Sequence, residues 1–199
     1  MALTYHNNNS ISNITSFPLV PSGSPVLLST ATASGSSSIS FTSGIDSTYD
    51  VYYFEFINIH PQNDGSIFQF NISSDGGSNY NIAKTTTYFR SIHNEIDNTA
   101  LLGYEANHLA QGTGYQPIMN NIGNANDESC SGGMYLFNPS STTYVKHFIA
   151  RTQSYQSAEF SFDIHMAGYG NTTSAVNAII FAQNSGNIDA GTIKMYGIK

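Results

Sequence analysis

Six histidines, thirteen aspartates and glutamates and one cysteine are the groups in this 199-residue chain that could ligate a metal or move a proton. Their spacing argues against most such chemistry. No two histidines stand in the His-x-x-x-His spacing that puts two imidazoles on one metal. His147 and His165 fall on expected strands opposite the apolar faces and read as surface groups. Asp46, Asp50, Asp64 and Asp75 cluster around turns, where calcium finds oxygen ligands. None of the four fits a calcium-loop pattern, and aspartate in turns is explained by hydrogen bonds to its own backbone. Glycoside hydrolysis needs two carboxylates flanking a cleft. Glu95, Asp97, Glu105, Asp127 and Glu128 are available, but their spacing singles out no pair. There is no Gly-x-Ser-x-Gly elbow and no phosphate-cradling glycine motif. Ser129 and Cys130 have no histidine nearby in sequence. The expectation is a chain that is not an enzyme and needs no cofactor or metal. What remains is aromatic: Tyr80, Tyr104, Tyr115 and Tyr155 fall in or beside expected turns, where their rings could face a sugar or a neighbouring subunit.

Composition narrows the partners. Only 10% of residues are charged and the net charge is −7, with six lysines and arginines. So few cations cannot form the stripe that neutralises phosphates, which excludes nucleic acid and an anionic membrane surface as expected partners. The polar surface must be Ser, Thr, Asn, Gln and Gly, which repels neighbouring chains weakly. Cys130 is alone, so no intrachain disulfide exists. Residues 1–10 lack the basic and apolar regions of a secretory signal. No apolar run approaches the ~20 residues that span a bilayer. Synthesis as a soluble protein, without membrane insertion, is the expectation.

The elements that would carry these side chains have a period of two. Val26–Ala33, Ser38–Thr42 and Val51–Ile57 read as strands, the last with Tyr52, Phe54 and Phe56 on one face. Its other face is also partly apolar, which predicts a central or covered strand. Ser66–Ser73 follows, with Phe68, Phe70 and Ile72 on one face, and Ser74-Asp-Gly-Gly-Ser78 predicts a hairpin. Tyr80–His93 is a mixed strand. The stretch from 94 to 133 reads as a long excursion, with one short helix available at Leu101–Ala110. Such insertions often make subunit contacts. Strands return at 133–138, 143–150, 159–166, 175–181 and 191–198. Nine or ten strands in one domain predict an all-β, antiparallel sandwich of jelly-roll type over residues 25–199. Phe54, Phe56, Phe68, Phe70, Phe160, Phe162 and Ile179 are its expected core.

Several strings between Ser38 and Ile198 resemble a structural module of tailed, marine-type bacteriophage virion proteins. They are Ser43-Gly-Ile-Asp-Ser-Thr-Tyr-Asp50, Ser73-Ser-Asp-Gly-Gly-Ser-Asn-Tyr80, Leu136-Phe-Asn-Pro-Ser-Ser-Thr142, Asn177-Ala-Ile179 and Ser185-Gly-Asn-Ile-Asp-Ala-Gly-Thr-Ile-Lys-Met-Tyr-Gly-Ile198. The module occurs in appendage, fibre and head-surface proteins. The resemblance implies an antiparallel sandwich and self-assembly, usually as a homotrimer, among other virion proteins on the particle surface. It implies synthesis in the host cytoplasm and carries no catalytic residues. A capsid decoration subunit or short appendage is the first expectation. A tail-fibre module that reads host surface glycan is the second.

Residues 1–24 form a separate zone. Three prolines in Phe17–Pro25 exclude a central strand, so the zone reads as an extended N-terminal arm. Tyr5, Ile11, Ile14, Phe17, Leu19 and Val20 give it apolar handholds. Burying one such side chain yields roughly 1.5–3 kcal/mol, whereas ordering costs ~1–2 kcal/mol per residue of backbone. The arm therefore orders only where several of these side chains find pockets, and the expectation is that it docks on a neighbouring subunit or an underlying shell.

Overall fold

A computed structural model describes residues 23–156 and 158–199 of the chain. The arm residues Tyr5, Ile11, Ile14, Phe17, Leu19 and Val20 lie outside the described residues. Twelve strands follow in order: β1 (Val26–Ser36), β2 (Ile39–Phe41), β3 (Val51–Pro61), β4 (Ser66–Ser73), β5 (Lys84–Asn94), β6 (Ala100–Tyr104), β7 (Gln116–Ile122), β8 (Cys130–Phe137), β9 (Lys146–Gln156), β10 (Phe160–Gly170), β11 (Ala178–Gln183) and β12 (Ile188–Ile198). They form an antiparallel β-sandwich. One sheet has eight strands, in the order β1-β12-β3-β8-β9-β10-β5-β6, and the other four, β2-β11-β4-β7.

The inner faces interdigitate through phenylalanine. Phe181 on β11 lies between 5.2 and 6.5 Å, ring to ring, from Phe41, Phe54, Phe56, Phe68 and Phe70. Phe70 meets Phe148 of the larger sheet edge to face at 5.1 Å. Such tilted and edge-on pairs suit the ring quadrupoles. β3 alternates buried and half-buried positions and lies between β12 and β8, as its two-sided apolar pattern predicts. Its alternation breaks at Asn58, whose φ of 49° makes a bulge that leaves both Ile57 and Asn58 outside and returns Ile59 to the core.

Of the expected core residues, Phe160 is the exception. It is only partly buried at the first position of β10, where it packs against the core, and Phe162 takes the buried position. The Leu101–Ala110 helix does not form; Ala100–Tyr104 is strand β6 on the edge of the larger sheet. The excursion as a whole is built into the sandwich, since β7 closes the smaller sheet. Ser74–Ser78 makes the turn but no hairpin. Ser73 Oγ accepts from the N–H groups of Asp75 and Gly77, at 3.2 and 3.1 Å. The chain then crosses from β4 in one sheet to β5 in the other.

Two lysines sit inside. Lys84 is 0% exposed; its Nζ donates to Asn71 Oδ1 at 2.6 Å and to the Ile82 carbonyl at 3.0 Å. Lys146 Nζ donates to the carbonyls of Ser141 and Tyr144, each at 2.6 Å. No carboxylate pairs with either among the described residues. Neutral carbonyls satisfy the donors without cancelling the charge.

Candidate binding face

The outward positions of the eight-stranded sheet make a broad, organised surface among the described residues. Strand alternation sends every second side chain outward, and antiparallel register aligns them in rows across the sheet. One row runs Tyr196, Tyr53, Tyr135, Ile149, Ala167, Thr87. The next runs Lys194, Glu55, Gly133, Arg151, His165, Phe89 and Tyr104.

The aromatic members of these rows touch. Tyr53 lies 4.7 Å from Tyr135 and 6.1 Å from Tyr196, ring to ring. Tyr135 stacks on Phe137 at 6.1 Å. Gly133 leaves room for this cluster: a Cβ there would come 2.3 Å from Tyr53 Oη. His165 lies flat on Phe89, with the ring centres 5.0 Å apart and the planes 6° from parallel. Ile149, 51% exposed, separates two shallow depressions. One, of about 540 Å³, is floored by Gly132 and Gly133 between Tyr53 and Arg151. The other, of about 500 Å³, is floored by Ala167 and Gly168 between His147 and Tyr169.

Charge on this face is compensated in place. Arg151 reaches Asp163 with two hydrogen bonds, both 3.1 Å, and His165 Nε2 lies 3.3 Å from the same carboxylate. The Arg151 hydrogen bond holds the Asp163 carboxyl below its ordinary range. Tyr196 donates to Glu55 Oε2 at 3.0 Å, with Lys194 3.7 Å from that oxygen. That hydrogen bond pushes the Tyr196 hydroxyl up, and burial does the same at Tyr53. Both phenols are therefore neutral donors at pH 7. Such a face offers ring surface and hydrogen bonds with little net charge, suited to a neutral polar or apolar partner.

The four tyrosines read from sequence do not form one site. Burial raises the hydroxyls of both Tyr80 and Tyr115, and Tyr115 adds to the rise at Tyr80; each is half-buried. Tyr104 ends β6, 61% exposed, with its ring 5.3 Å from His108. Tyr155 lies within β9, beside Glu95 and His93 in a smaller depression. The residues that do come together, Tyr53, Tyr135 and Tyr196, lie within strands rather than turns. Their signal was present as the second apolar face of β3, whose partners only the register reveals.

Two of the turn aspartates, Asp75 and Asp46, cap local backbone. Asp75 accepts from Ser73 Oγ at 2.6 Å, from the Asn79 N–H at 2.9 Å and from Asn79 Nδ2 at 2.8 Å, which lowers its carboxyl to about 2. Asp46 accepts from the Thr48 N–H at 2.8 Å. Glu105 pairs with Arg90 at 2.7 Å, and Asp97 with His93 at 2.9 Å. Asp127, Glu128 and Asp189 line a depression with His60, but no group of three metal-binding side chains is arranged around a common point among the described residues. Cys130 is buried at the start of β8, where burial pushes the thiol well above its ordinary range. No helix of the described residues is long and apolar enough to cross a membrane. No protein-family model, curated protein or solved structure matches the chain.

Proposed function

We propose that this chain is a structural protein of a bacteriophage particle, a capsid decoration subunit or a short surface appendage that acts by self-assembly. The observation that carries the reading is the outer face of the eight-stranded sheet, where Tyr53, Tyr135, Tyr196 and Ile149 stand among locally paired charges. A face so poor in net charge can be covered by another protein without desolvating unpaired ions. Strand order supports the jelly-roll form. With the β5–β6 and β9–β10 hairpins set aside, β1-β12-β3-β8 faces β2-β11-β4-β7, the order of two interlocked Greek keys. The strings that resemble virion modules point to a particle, and the outer face of the larger sheet to a contact surface. Many such contacts add through multivalency.

Mixing the full chain with particles that lack it, and separately with host cells, tests the reading. Sedimentation of the chain with the particles is the expected result. Adherence to cells without uptake by particles favours the rival, a module that reads host surface glycan through Tyr80, Tyr104, Tyr115 or Tyr155. Ile149→Lys places a charge at the centre of the face without touching the core. It is expected to weaken uptake about tenfold or more, equivalent to about 1.4 kcal/mol, with an unchanged circular dichroism spectrum. Deleting residues 1–24 is expected to leave a folded domain that no longer assembles, read by the same sedimentation. Unimpaired uptake of the truncated chain would make the arm dispensable.

A further inference from the structure

Open sheet edges template the pairing of further strands, and folded proteins usually blunt them. The two edges of the smaller sheet are blunted: β2 has three residues, and β7 carries Pro117 and two shifts of register against β4. The edge formed by β6 is not. Its sequence, Ala100-Leu-Leu-Gly-Tyr104, contains no charge and no proline. Leu102 is 74% exposed, and Leu101, Tyr104 and the neighbouring Phe89 are exposed as well.

Two backbone hydrogen bonds fix which groups are open. The Asn94 N–H donates to the Thr99 carbonyl at 3.2 Å, and the Glu105 N–H to the Tyr88 carbonyl at 2.9 Å. Hydrogen-bonded pairs alternate in an antiparallel ladder, so Leu101 and Gly103 also face β5. The N–H and C=O groups of Ala100, Leu102 and Tyr104 therefore point away from the sheet.

We infer that β6 pairs antiparallel with β6 of a second copy of this chain, about a two-fold axis through Leu102. This rests on the self-assembly reading above and names one of its contacts. The strand is its own complement in this register. Leu102 faces Leu102 of the other copy, and Ala100 faces Tyr104 twice, so all three open residues of each strand exchange hydrogen bonds. Size matches size: the Tyr104 ring lies beside an alanine, and Leu101 lies over Gly103, where a Cβ would meet nothing nearer than 4.0 Å. A charged partner would find no counter-charge along the strand. An interface centred on five residues is small beside the ~20–30 residues a side of standard complexes. The contact is therefore concentration-dependent for free copies and gains strength by repetition on a particle, whether each copy is single or already in a trimer.

Analytical ultracentrifugation of the full chain, titrated over concentration, tests this with Leu102→Lys and Leu102→Cys. The wild type is expected to associate, and Leu102→Lys to weaken that association at least tenfold with an unchanged circular dichroism spectrum. Leu102→Cys is expected to give a disulfide-linked dimer with diamide. Facing hydrogen-bonded residues stand about 5.5 Å apart at Cα, within disulfide reach, and native Cys130 is buried. Association that is unchanged by lysine, with no cross-link through position 102, overturns the β6 contact and leaves the assembly reading standing. A wild type that stays monomeric at every concentration removes the self-assembly reading itself.

Discussion

Phe181→Ala is expected to cost the fold about 3–5 kcal/mol, the usual range for emptying a buried phenylalanine site. Whole domains are stable by only ~5–15 kcal/mol, so this single change removes a large part of the total. The size follows from position. Phe181 is the ring that both sheets share, within 6.5 Å of Phe41, Phe68 and Phe70 in its own sheet and of Phe54 and Phe56 in the facing one. Collapse into the void would require strands of both sheets to shift together, which their ladders resist. The chemical-denaturation midpoint should fall with little change in slope. Phe181→Leu, which keeps more of the volume, should lose less. A loss below about 1 kcal/mol for alanine would mean that the sandwich closes the gap and that the ring is not central.

The strands that sequence made plain are those whose inner faces are apolar. Phe68, Phe70 and Ile72 mark β4, and Phe162, Ile164 and Met166 mark β10. Those it blurred bury polar groups. β9 reads as ending near Ala150, yet it runs to Gln156 because Thr152 and Ser154 face inward. Thr152 Oγ1 donates to the Ile118 carbonyl, and Ser154 Oγ lies 3.2 Å from Met119 Sδ. Each bond spans the sandwich to β7, and no local pattern announces it. β7 was hidden for another reason. Pro117 and Asn120-Asn121 look like turn signals, but an edge strand tolerates proline where its missing N–H would face solvent. β6 could be weighed as a helix because Leu101-Leu102 fits either period. The edge it completes, not its own residues, decides the matter.

The candidate face was legible only in halves. Tyr53 and Glu55 show in sequence as the outward residues of β3, and His147 and His165 as surface groups elsewhere, whereas Arg151 falls beyond the expected end of its strand. Their alignment into rows depends on register, which bulges such as that at Asn58 reset by one residue. The loop tyrosines stand out in sequence because turns are where binding residues often sit. Here the aromatic cluster lies in the middle of the sheet, where a broad, flat contact is possible.

Lys84 makes stability depend on pH in a direction opposite to that of ordinary surface lysines. Burial lowers its ammonium from 10.5 to about 8, since Asn71 and the Ile82 carbonyl supply hydrogen bonds but no negative charge. The unfolded chain then binds the proton more tightly than the folded chain. Between pH 8 and 10.5 the unfolded state holds more protons, so stability rises with pH across that window and is lost again as pH falls to about 8. A displacement of this size corresponds to about 3 kcal/mol, most of it realised by pH 10. Lys146, also lowered by burial, adds in the same direction. Above about pH 10 the tyrosines raised by burial, Tyr53 among them, act oppositely, because unfolding frees them to ionise. The difference between the wild type and Lys84→Met isolates the one group. Methionine keeps the length and apolar stem of lysine, and Asn71 Oδ1 still accepts from the Ile72 N–H at 2.9 Å. Urea denaturation at pH 7, 8, 9 and 10 should show the wild type gaining on Lys84→Met as pH rises, with the variant ahead or level at pH 7. A constant difference across the series would mean that Lys84 keeps its ordinary proton affinity inside the sandwich, its two acceptors then outweighing the cost of burial.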